Sequence, residues 1–296
     1  MAETWTVLRL LTWTTDFLKK HGSDNPRLEA EVLLAHAKAC ERIMLYAAFD
    51  QEVPDEIRAT FRDLVKRRAD GMPVAYLIGK REFFSLSLRV TPAVLIPRPE
   101  TESVVIAALD HLKRPAGGAS AGETPLLVAD VGTGSGAIAV SIAKHADHCR
   151  IVATDISPEA LQVARANAAD HQVADRIEFV ECDLLSAVPA ETRFHVIASN
   201  PPYIAENEFA TVSPQVKDHE PRLALLGGPT GTEVIERLIP QAADRLFPGG
   251  LLVMEISPTI ADRVVELLTA DGRFEPPALE KDLASQVRIV KAIRIA

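Results

Sequence analysis

The chain contains 296 residues, of which 47% are apolar and 25% are charged, a composition typical of a globular protein with one large domain or two ordinary ones. Its formal net charge is −9 at pH 7. This negative charge argues against a protein that coats nucleic acids non-specifically, because phosphate binding uses clustered Lys and Arg side chains.

Cysteine, histidine and hydropathy patterns exclude several further classes of protein. Cys40, Cys149 and Cys182 are too far apart for a CxxC metal or redox pair, and the histidines form no HxxxH or HxH pattern. The first residues mix acidic and polar side chains with apolar ones, unlike a signal peptide. No apolar run reaches the roughly 18 residues that a membrane span needs. We therefore expect a cytoplasmic protein without a metal or a membrane partner.

Residues 5–79 carry apolar side chains at helical spacing and show no strand-like alternation. The apolar residues that define the first two helices are Trp5, Leu8, Leu11, Phe17, Leu18, Leu28, Val32, Leu33 and Ala37. Pro26 and Pro54 suit the starts of two helices. We expect a small helical bundle in which Trp5 and Trp13 belong to the core and the basic run 66–68 is a solvated helix face.

The pattern changes between residues 80 and 97. The apolar residues that alternate there with polar neighbours are Phe84, Leu86, Leu88 and Val90. This alternation predicts a β-hairpin that connects the helical domain, residues 1–79, to a second domain, residues 98–296. Within the second domain, the Gly- and Ala-rich segment 114–124 has no periodicity and is interpreted as a loop.

From residue 125 onwards, short apolar strands alternate with helices. The predicted strands are residues 126–130, 151–155, 177–182, 195–199, 251–256 and 287–293. The predicted helices are residues 137–144, 158–169, 232–246 and 259–270. Such alternation predicts an α/β fold, with a doubly wound, Rossmann-like parallel sheet that carries helices on both faces.

A glycine-rich loop follows the first predicted strand of this sheet. Its residues are Gly132, Thr133, Gly134, Ser135 and Gly136. Glycines permit a tight turn here and let a ligand lie against the backbone at the positive end of the next helix. With Ala137 the loop also fits the dinucleotide pattern of nicotinamide and flavin enzymes, so the loop alone does not decide the cofactor.

Acidic residues end the next two predicted strands. Asp155 occupies the place where a nucleotide-binding sheet accepts hydrogen bonds from ribose hydroxyls. Asp183 can accept a hydrogen bond from an adenine amino group, while Leu184 packs on the ring. Because ligands bind at the carboxyl ends of parallel strands, we expect the glycine loop and both acids to face one crevice.

The fourth predicted strand runs into Asn200, Pro201, Pro202 and Tyr203. Two successive prolines remove two N–H donors and leave carbonyls free to accept. The Asn200 side-chain oxygen and the Pro201 carbonyl could receive the two hydrogens of a planar NH2 group, with the Tyr203 ring over one face. This grip would aim a poorly nucleophilic nitrogen at an electrophilic methyl group by positioning and preorganised electrostatics.

Longer motifs resemble those of the HemK/PrmC methyltransferases, which modify the glutamine of a Gly-Gly-Gln motif in peptide chain release factors. The matching segments are PVAYLIG at residues 73–79, LIPRPETE at 95–102, DVGTGSG at 130–136, SNPPYI at 199–204 and EPRLAL at 220–225. Members have a helical N-terminal domain, a hairpin and a Rossmann-like class I methyltransferase domain. The resemblance therefore implies S-adenosylmethionine as cofactor and release factors as protein partners, recognised in part by residues 1–79.

The resemblance also assigns roles to residues. It implies that residues 132–136, Asp155, Leu184 and Asn200 contact S-adenosylmethionine, and that residues 200–203 hold the substrate glutamine. Asn200, Pro201 and Tyr203 would be the catalytic residues. The sequence departs from the family near residue 286, where a glycine and an aspartate often precede Arg288, so a tight turn is not expected there.

Several alternatives stay open at this point. The NPPY motif is shared with DNA methyltransferases that act on the exocyclic amine of adenine, although the acidic charge and the lack of a recognisable target-recognition domain argue against that substrate. A non-catalytic binding module could retain the same fold. Glu220 and Arg222 could form a structural salt link or face the substrate.

Overall fold

The computed structural model describes residues 4–113, 125–282 and 284–296, so the loop predicted at 114–124 lies outside the described residues. The chain forms two compact units. One comprises the described residues up to Lys80 together with Ser213–His219, and the other those of Arg81–Val212 and Glu220–Ala296. Within the described ranges, no helix combines the length and the apolar character required to cross a membrane.

The first unit is helical, as its periodicity indicated. Its main helices are α1 (Val7–Lys20), α2 (Pro26–Ala37), α3 (Asp55–Ala69) and α4 (Val74–Ile78). The Thr6 side chain accepts a hydrogen bond from the Arg9 backbone N–H and so caps α1. Pro26 occupies the first turn of α2, where its missing N–H costs no hydrogen bond. The helix starts thus follow from local capping chemistry.

One apolar core holds the helical unit together. Fully buried side chains in it include Val7, Leu11, Leu18, Leu33, Leu34, Leu45 and Phe61. The prediction that Trp13 belongs to the core was wrong, since its side chain is 51% exposed. Trp13 lies roughly 140° around α1 from the stripe that contains Leu18, so the helix cannot bury both.

The prediction of a solvated basic face at residues 66–68 was wrong for Arg68. This side chain is buried, and its Nε and Nη2 atoms donate to the two carboxylate oxygens of Glu29 at 2.9 and 3.0 Å. Such a two-bond ion pair compensates the cost of burying a guanidinium group. Its partner lies 39 residues away along the chain, so no local pattern could indicate it.

A β-hairpin begins the second unit. Its strands are β1 (Lys80–Phe83) and β2 (Leu86–Arg89). Phe84 and Ser85 form the turn with φ angles of +49° and +60°, so Phe84 lies outside the strand in which the alternation placed it. Phe83 and Leu88 are buried in the core of the second unit. The hairpin therefore packs as part of that unit.

The strands after the hairpin are β3 (Leu126–Val131), β4 (Cys149–Asp155), β5 (Ile177–Glu181), β6 (Phe194–Ser199), β7 (Ile204–Ala205), β8 (Leu226–Gly228), β9 (Leu246–Glu255), β10 (Ala278–Lys281) and β11 (Val287–Ile293). Seven of them form one sheet within the described residues, in the order β10-β11-β9-β6-β3-β4-β5. Neighbours among β9, β6, β3, β4 and β5 are parallel, as predicted. The sheet departs from the predicted parallel arrangement at one edge, where β11 runs antiparallel to β9 and β10.

The turn between β10 and β11 forms despite the missing glycine. Ser285 adopts a left-handed φ of +62°, and the Asp282 carboxylate accepts hydrogen bonds from the Ala284 and Gln286 N–H groups at 2.8 and 2.9 Å. An aspartate can stabilise a turn by bonding backbone groups a few residues on. The expectation that a tight turn is absent here was therefore wrong.

Helices cover both faces of the sheet. The remaining helices are α5 (Glu102–Leu112), α6 (Ala137–His145), α7 (Pro158–Asp170), the short α8 (Pro214–Lys217) of the helical unit, α9 (Glu233–Arg245) and α10 (Ala261–Asp271). One buried cluster includes side chains of α5 and α6, and a second includes side chains of α9 and α10. This Rossmann-like arrangement brings the carboxyl ends of β3, β4, β5 and β6 to one edge.

Candidate active site

The glycine loop turns the chain from β3 into α6. Gly132 and Gly134 have left-handed φ angles of +72° and +54°, and a Cβ atom on either would meet nothing within 4 Å. Glycine is therefore needed there for backbone conformation. Gly136 has a further role, because a Cβ atom at this position would lie 3.1 Å from the Ala164 Cβ of α7. The loop thus combines an exposed backbone with close packing behind it.

Asp130 lies buried behind this loop at the end of β3. Its Oδ2 atom accepts hydrogen bonds from the Thr133 hydroxyl at 2.6 Å and the Ala139 N–H at 3.0 Å. Its Oδ1 atom is buried and has no partner in the part of the chain that the structure describes. Burial raises the pKa of Asp130 to about 7, although the two hydrogen bonds oppose this shift. The loop is therefore backed by a carboxyl group with a spare acceptor oxygen.

Asp155, at the end of β4, ties the glycine loop to the next strand. Its carboxylate accepts hydrogen bonds from the Gly134 N–H at 2.8 Å and the Ser157 N–H at 2.9 Å. Burial raises the pKa of Asp155, while these backbone donors favour its ionised form. A carboxylate has about four acceptor sites, so it retains capacity for hydroxyl groups of a ligand.

A cavity of about 240 Å³ opens at the carboxyl edge of the sheet. Most of the residues that the sequence singled out line it, namely Gly132, Thr133, Gly134, Ser135, Asp155, Asp183, Leu184, Asn200 and Pro202. Gly136, Pro201 and Tyr203 are not part of its lining. The glycine loop, the strand-end acids and the start of the NPPY segment therefore share one cavity.

Asp183 has a partner that the sequence did not suggest. Its carboxylate forms an ion pair with Arg237 of α9, and both side chains line the cavity. Leu184 follows with a left-handed φ of +54° and is buried. Arg237 therefore competes for the carboxylate oxygens that were predicted to accept from an adenine amino group, although a second oxygen remains available.

Asn200 is held by a relay of hydrogen bonds. Its Nδ2 atom donates to the Thr101 hydroxyl oxygen at 3.1 Å. The Thr101 hydroxyl donates in turn to the Oε2 atom of Glu255 at 2.5 Å. Glu255 is only 1% exposed. This relay uses the donor side of the Asn200 amide and leaves its carbonyl oxygen as an acceptor.

Tyr203 joins the same buried carboxylate. Its hydroxyl donates to the Oε1 atom of Glu255 at 3.1 Å. Burial raises the pKa of Tyr203, and the neighbouring Glu255 raises it further. Burial also raises the pKa of Glu255, against the two hydrogen bonds that favour the ionised form. No role was predicted for Thr101 or Glu255; the available signal was an acidic residue at the end of an apolar strand.

A second glycine-rich segment holds the NPPY backbone in place. A Cβ atom on Gly227 would lie 2.6 Å from the Pro202 carbonyl oxygen, and one on Gly231 would lie 2.6 Å from the Tyr203 carbonyl oxygen. The Ile204 N–H also donates to the Leu225 carbonyl at 2.9 Å. These close approaches fix the path of the segment. No sequence pattern predicted them.

Glu220 and Arg222 do not form the salt link with each other that the sequence left open. The buried Glu220 carboxylate pairs with Arg98 at 2.5 Å and accepts from the Ile96 N–H at 3.3 Å. The Arg222 guanidinium instead lies over the Phe209 ring, 4.4 Å from its centroid. Glu220 is therefore a structural link that joins two segments of the cavity wall.

Across residues 4–113, 125–282 and 284–296, no group of three His, Cys, Asp or Glu side chains is arranged to hold a metal ion.

The fold is Rossmann-like, with a cavity at the carboxyl edge of its sheet. Residues 120–220 match the family described as the methyltransferase small domain. The solved hMettl16 catalytic domain superimposes with a TM-score of 0.56 at 16% identity, covering 79% of this chain and 84% of that one. This likeness concerns the fold, and it confirms the predicted fold class.

Comparison of whole chains is more specific. Residues 9–79 match the PrmC N-terminal domain. A release factor glutamine methyltransferase of Rhodopirellula baltica is 48% identical over 98% of both chains. One of Koribacter versatilis is 43% identical over 85% of this chain and 86% of its own. The chain belongs to the release factor glutamine methyltransferase family, which confirms the resemblance inferred from its motifs.

Proposed function

We propose that this enzyme transfers a methyl group from S-adenosylmethionine to the side-chain amide nitrogen of the glutamine in the Gly-Gly-Gln motif of peptide chain release factors. The observation that carries this proposal is the relay at Asn200. Because the Nδ2 atom of Asn200 is committed to Thr101, its Oδ1 atom is left to accept a hydrogen from a substrate NH2 group. The names of the relatives support release factors as the substrate.

The NPPY segment is suited to a planar amide. The Pro201 carbonyl accepts no hydrogen bond from the described residues, so it can act as the second acceptor beside Asn200. An amide nitrogen is a poor nucleophile because its lone pair is delocalised. Two acceptors orient the nitrogen and stabilise positive charge that develops on its hydrogens. Pro201, Pro202 and Tyr203 would complete the glutamine site.

The cavity residues fit the proposed cofactor. When bound, S-adenosylmethionine supplies an electrophilic methyl group on a positively charged sulfonium. Asp155 would accept from the ribose hydroxyls, and Leu184 would pack on the adenine. When ionised, Asp130 would supply negative potential behind the glycine loop, which suits a cationic ligand. Residues 132–136 would leave their backbone open to the ligand.

The remaining assignments are part of the same proposal. Residues 1–79 would recognise the release factor, and residues 80–97 would join this domain to the methyltransferase domain at 98–296. Asp183 would hold the adenine amino group beside Arg237. We expect the enzyme to act in the cytoplasm, on a protein loop and without direct contact to a nucleic acid.

The proposal is tested by incubating the enzyme with isotopically labelled S-adenosylmethionine and a purified release factor. Mass spectrometry of the digested release factor is expected to locate the label on the glutamine of the Gly-Gly-Gln motif. A release factor with glutamate at this position, and enzyme carrying Asn200→Ala, serve as controls. Label on another residue, or label in DNA that survives protease treatment, would contradict the proposal.

A further inference from the structure

A groove in the helical unit has no role in the proposed chemistry. It lies between α1 and α3 and encloses about 260 Å³. Aromatic rings form much of its wall, including those of Trp5, Trp13, Phe17 and Phe61. All of its lining residues belong to the helical unit, so it is separate from the cavity at the sheet edge.

The aromatic wall is exposed to solvent at Trp13. Trp13 is 51% exposed, and its ring stacks on that of Phe17 with centroids 5.0 Å apart and planes inclined by 11°. This stacking holds the indole in one orientation at the lip of the groove. Rigid aromatic side chains of this kind are enriched among the residues that dominate binding energy at protein interfaces.

Cationic side chains line one side of the groove. Arg62 and Lys66 lie one turn apart on α3, and both are exposed and line the groove. Neither forms an ion pair with any residue that the structure describes, whereas Arg58, Arg67 and Arg68 on the same helix all do. In a chain of net charge −9, these two exposed cations beside an apolar groove constitute a local positive site.

We propose that this groove binds an acidic segment of the substrate release factor, which inserts an apolar side chain between the aromatic walls. Carboxylates of that segment lie against Arg62 and Lys66. Charge complementarity favours this occupant, because Arg62 and Lys66 attract carboxylates and the aromatic wall can take an apolar side chain. Two cations are too few for a nucleic-acid backbone site, which releases counterions through many phosphate contacts. The inference rests on the proposed function.

The test compares Trp13→Ala and the double variant Arg62→Glu/Lys66→Glu with the wild-type enzyme. KM for a purified release factor, and its Kd by calorimetry, are expected to rise at least tenfold in both variants, while kcat stays within twofold. Methylation of a synthetic peptide that carries only the Gly-Gly-Gln loop should not change. Matched controls are Leu28→Ala and Lys20→Glu, which alter exposed side chains elsewhere on the helical unit.

The possible results distinguish a release-factor groove from the other occupants. Unchanged KM and Kd in both variants, or equal losses in the controls, would overturn the groove proposal. A change in sedimentation without a change in Kd would assign the groove to a second copy of this chain, and altered binding of a single-stranded RNA probe alone would assign it to nucleic acid. If the wild-type enzyme binds the release factor without labelling its glutamine, the proposed function fails while Kd still tests the groove.

Discussion

The side-chain amide of Asn200 donates to the hydroxyl oxygen of Thr101, 3.1 Å away, although the two residues are 99 positions apart in the chain. The Thr101 hydroxyl in turn donates a hydrogen bond to the buried carboxylate of Glu255. Because an ionised carboxylate can only accept, the direction of both hydrogen bonds is determined. The relay therefore fixes the amide orientation in which Asn200 presents its oxygen as an acceptor.

Removing the relay hydroxyl should slow methyl transfer. In Thr101→Val the shape of the side chain is kept, but Asn200 loses the partner that orients its amide. The expected loss in kcat is about 10- to 100-fold, because a buried group left without its hydrogen bond costs about 1–3 kcal/mol. Steady-state kinetics with the release factor measures it. Thr101→Ser should restore most of the rate; an unchanged kcat in Thr101→Val would show that the relay does not orient the Asn200 amide.

The relay should make activity depend on pH. Only ionised Glu255 can accept from both Thr101 and Tyr203, and burial raises the pKa of Glu255 above its ordinary value. Glu100 raises this pKa further, and Arg288 lowers it. Activity should therefore fall as the pH drops through this raised pKa. Glu255→Gln should lower kcat about tenfold and abolish this acid limb; a limb that persists in Glu255→Gln would assign it to another group.

Crowding the NPPY backbone should impair the substrate site selectively. Gly227→Ala places a methyl group 2.6 Å from the Pro202 carbonyl oxygen, so the segment must shift. We expect kcat/KM to fall at least about tenfold, since small displacements of positioning groups are costly. The control is Gly272→Ala, where the new Cβ meets nothing within 4 Å and the φ of +73° alone causes strain. That control should lose about 1 kcal/mol of stability with little loss of activity; equal losses in both variants would point to a general folding defect.

Asp155 and Asn200 should divide cofactor binding and turnover between them. Asp155→Ala removes an acceptor at the glycine loop and should weaken S-adenosylmethionine binding about 10- to 100-fold, as expected for hydrogen bonds to a charged group. Asn200→Ala should reduce turnover more than it weakens cofactor binding. Calorimetric titration and single-turnover kinetics separate the two effects. Equal losses of affinity in both variants would contradict this division.

Asp130 should make stability fall as the pH rises from about 4 to about 7. Its pKa of about 7 in the folded chain exceeds the ordinary value, so in this window the folded chain holds a proton that the unfolded chain has released. The stabilisation from this group is complete below the window and is lost through it, with an upper limit of about 4 kcal/mol.

Urea unfolding at several pH values measures this dependence. Asp130→Asn cannot titrate, so its free energy of unfolding should fall less across the window than that of the wild-type chain. An identical pH dependence in both proteins would exclude Asp130 as its source.

Local patterns in the sequence were sufficient for the fold class and the main motifs. Each of these features can be recognised from residues that are close together in the sequence. They are the helical periodicity in residues 5–79, the alternation of strands and helices, the glycine loop and the NPPY segment. Each reflects backbone geometry or hydrogen-bond capacity that neighbouring residues determine. The carboxyl edge of a parallel sheet then explains why the loop, Asp155 and Asn200 share one cavity. Their contacts with ligands stay predictions.

Tertiary structure decided which distant groups serve the site. Three separate segments of the chain support the NPPY segment, and no sequence pattern connects them. They contribute Thr101 and Glu255, which form the relay to Asn200, and Gly227, which packs against the Pro202 carbonyl. The same holds for Arg68, whose basic neighbours suggested a solvated face, and for Trp13, whose burial depends on where the other helices pack. Hydrogen-bond partners and burial are properties of the space around a residue, and only the folded chain defines that space.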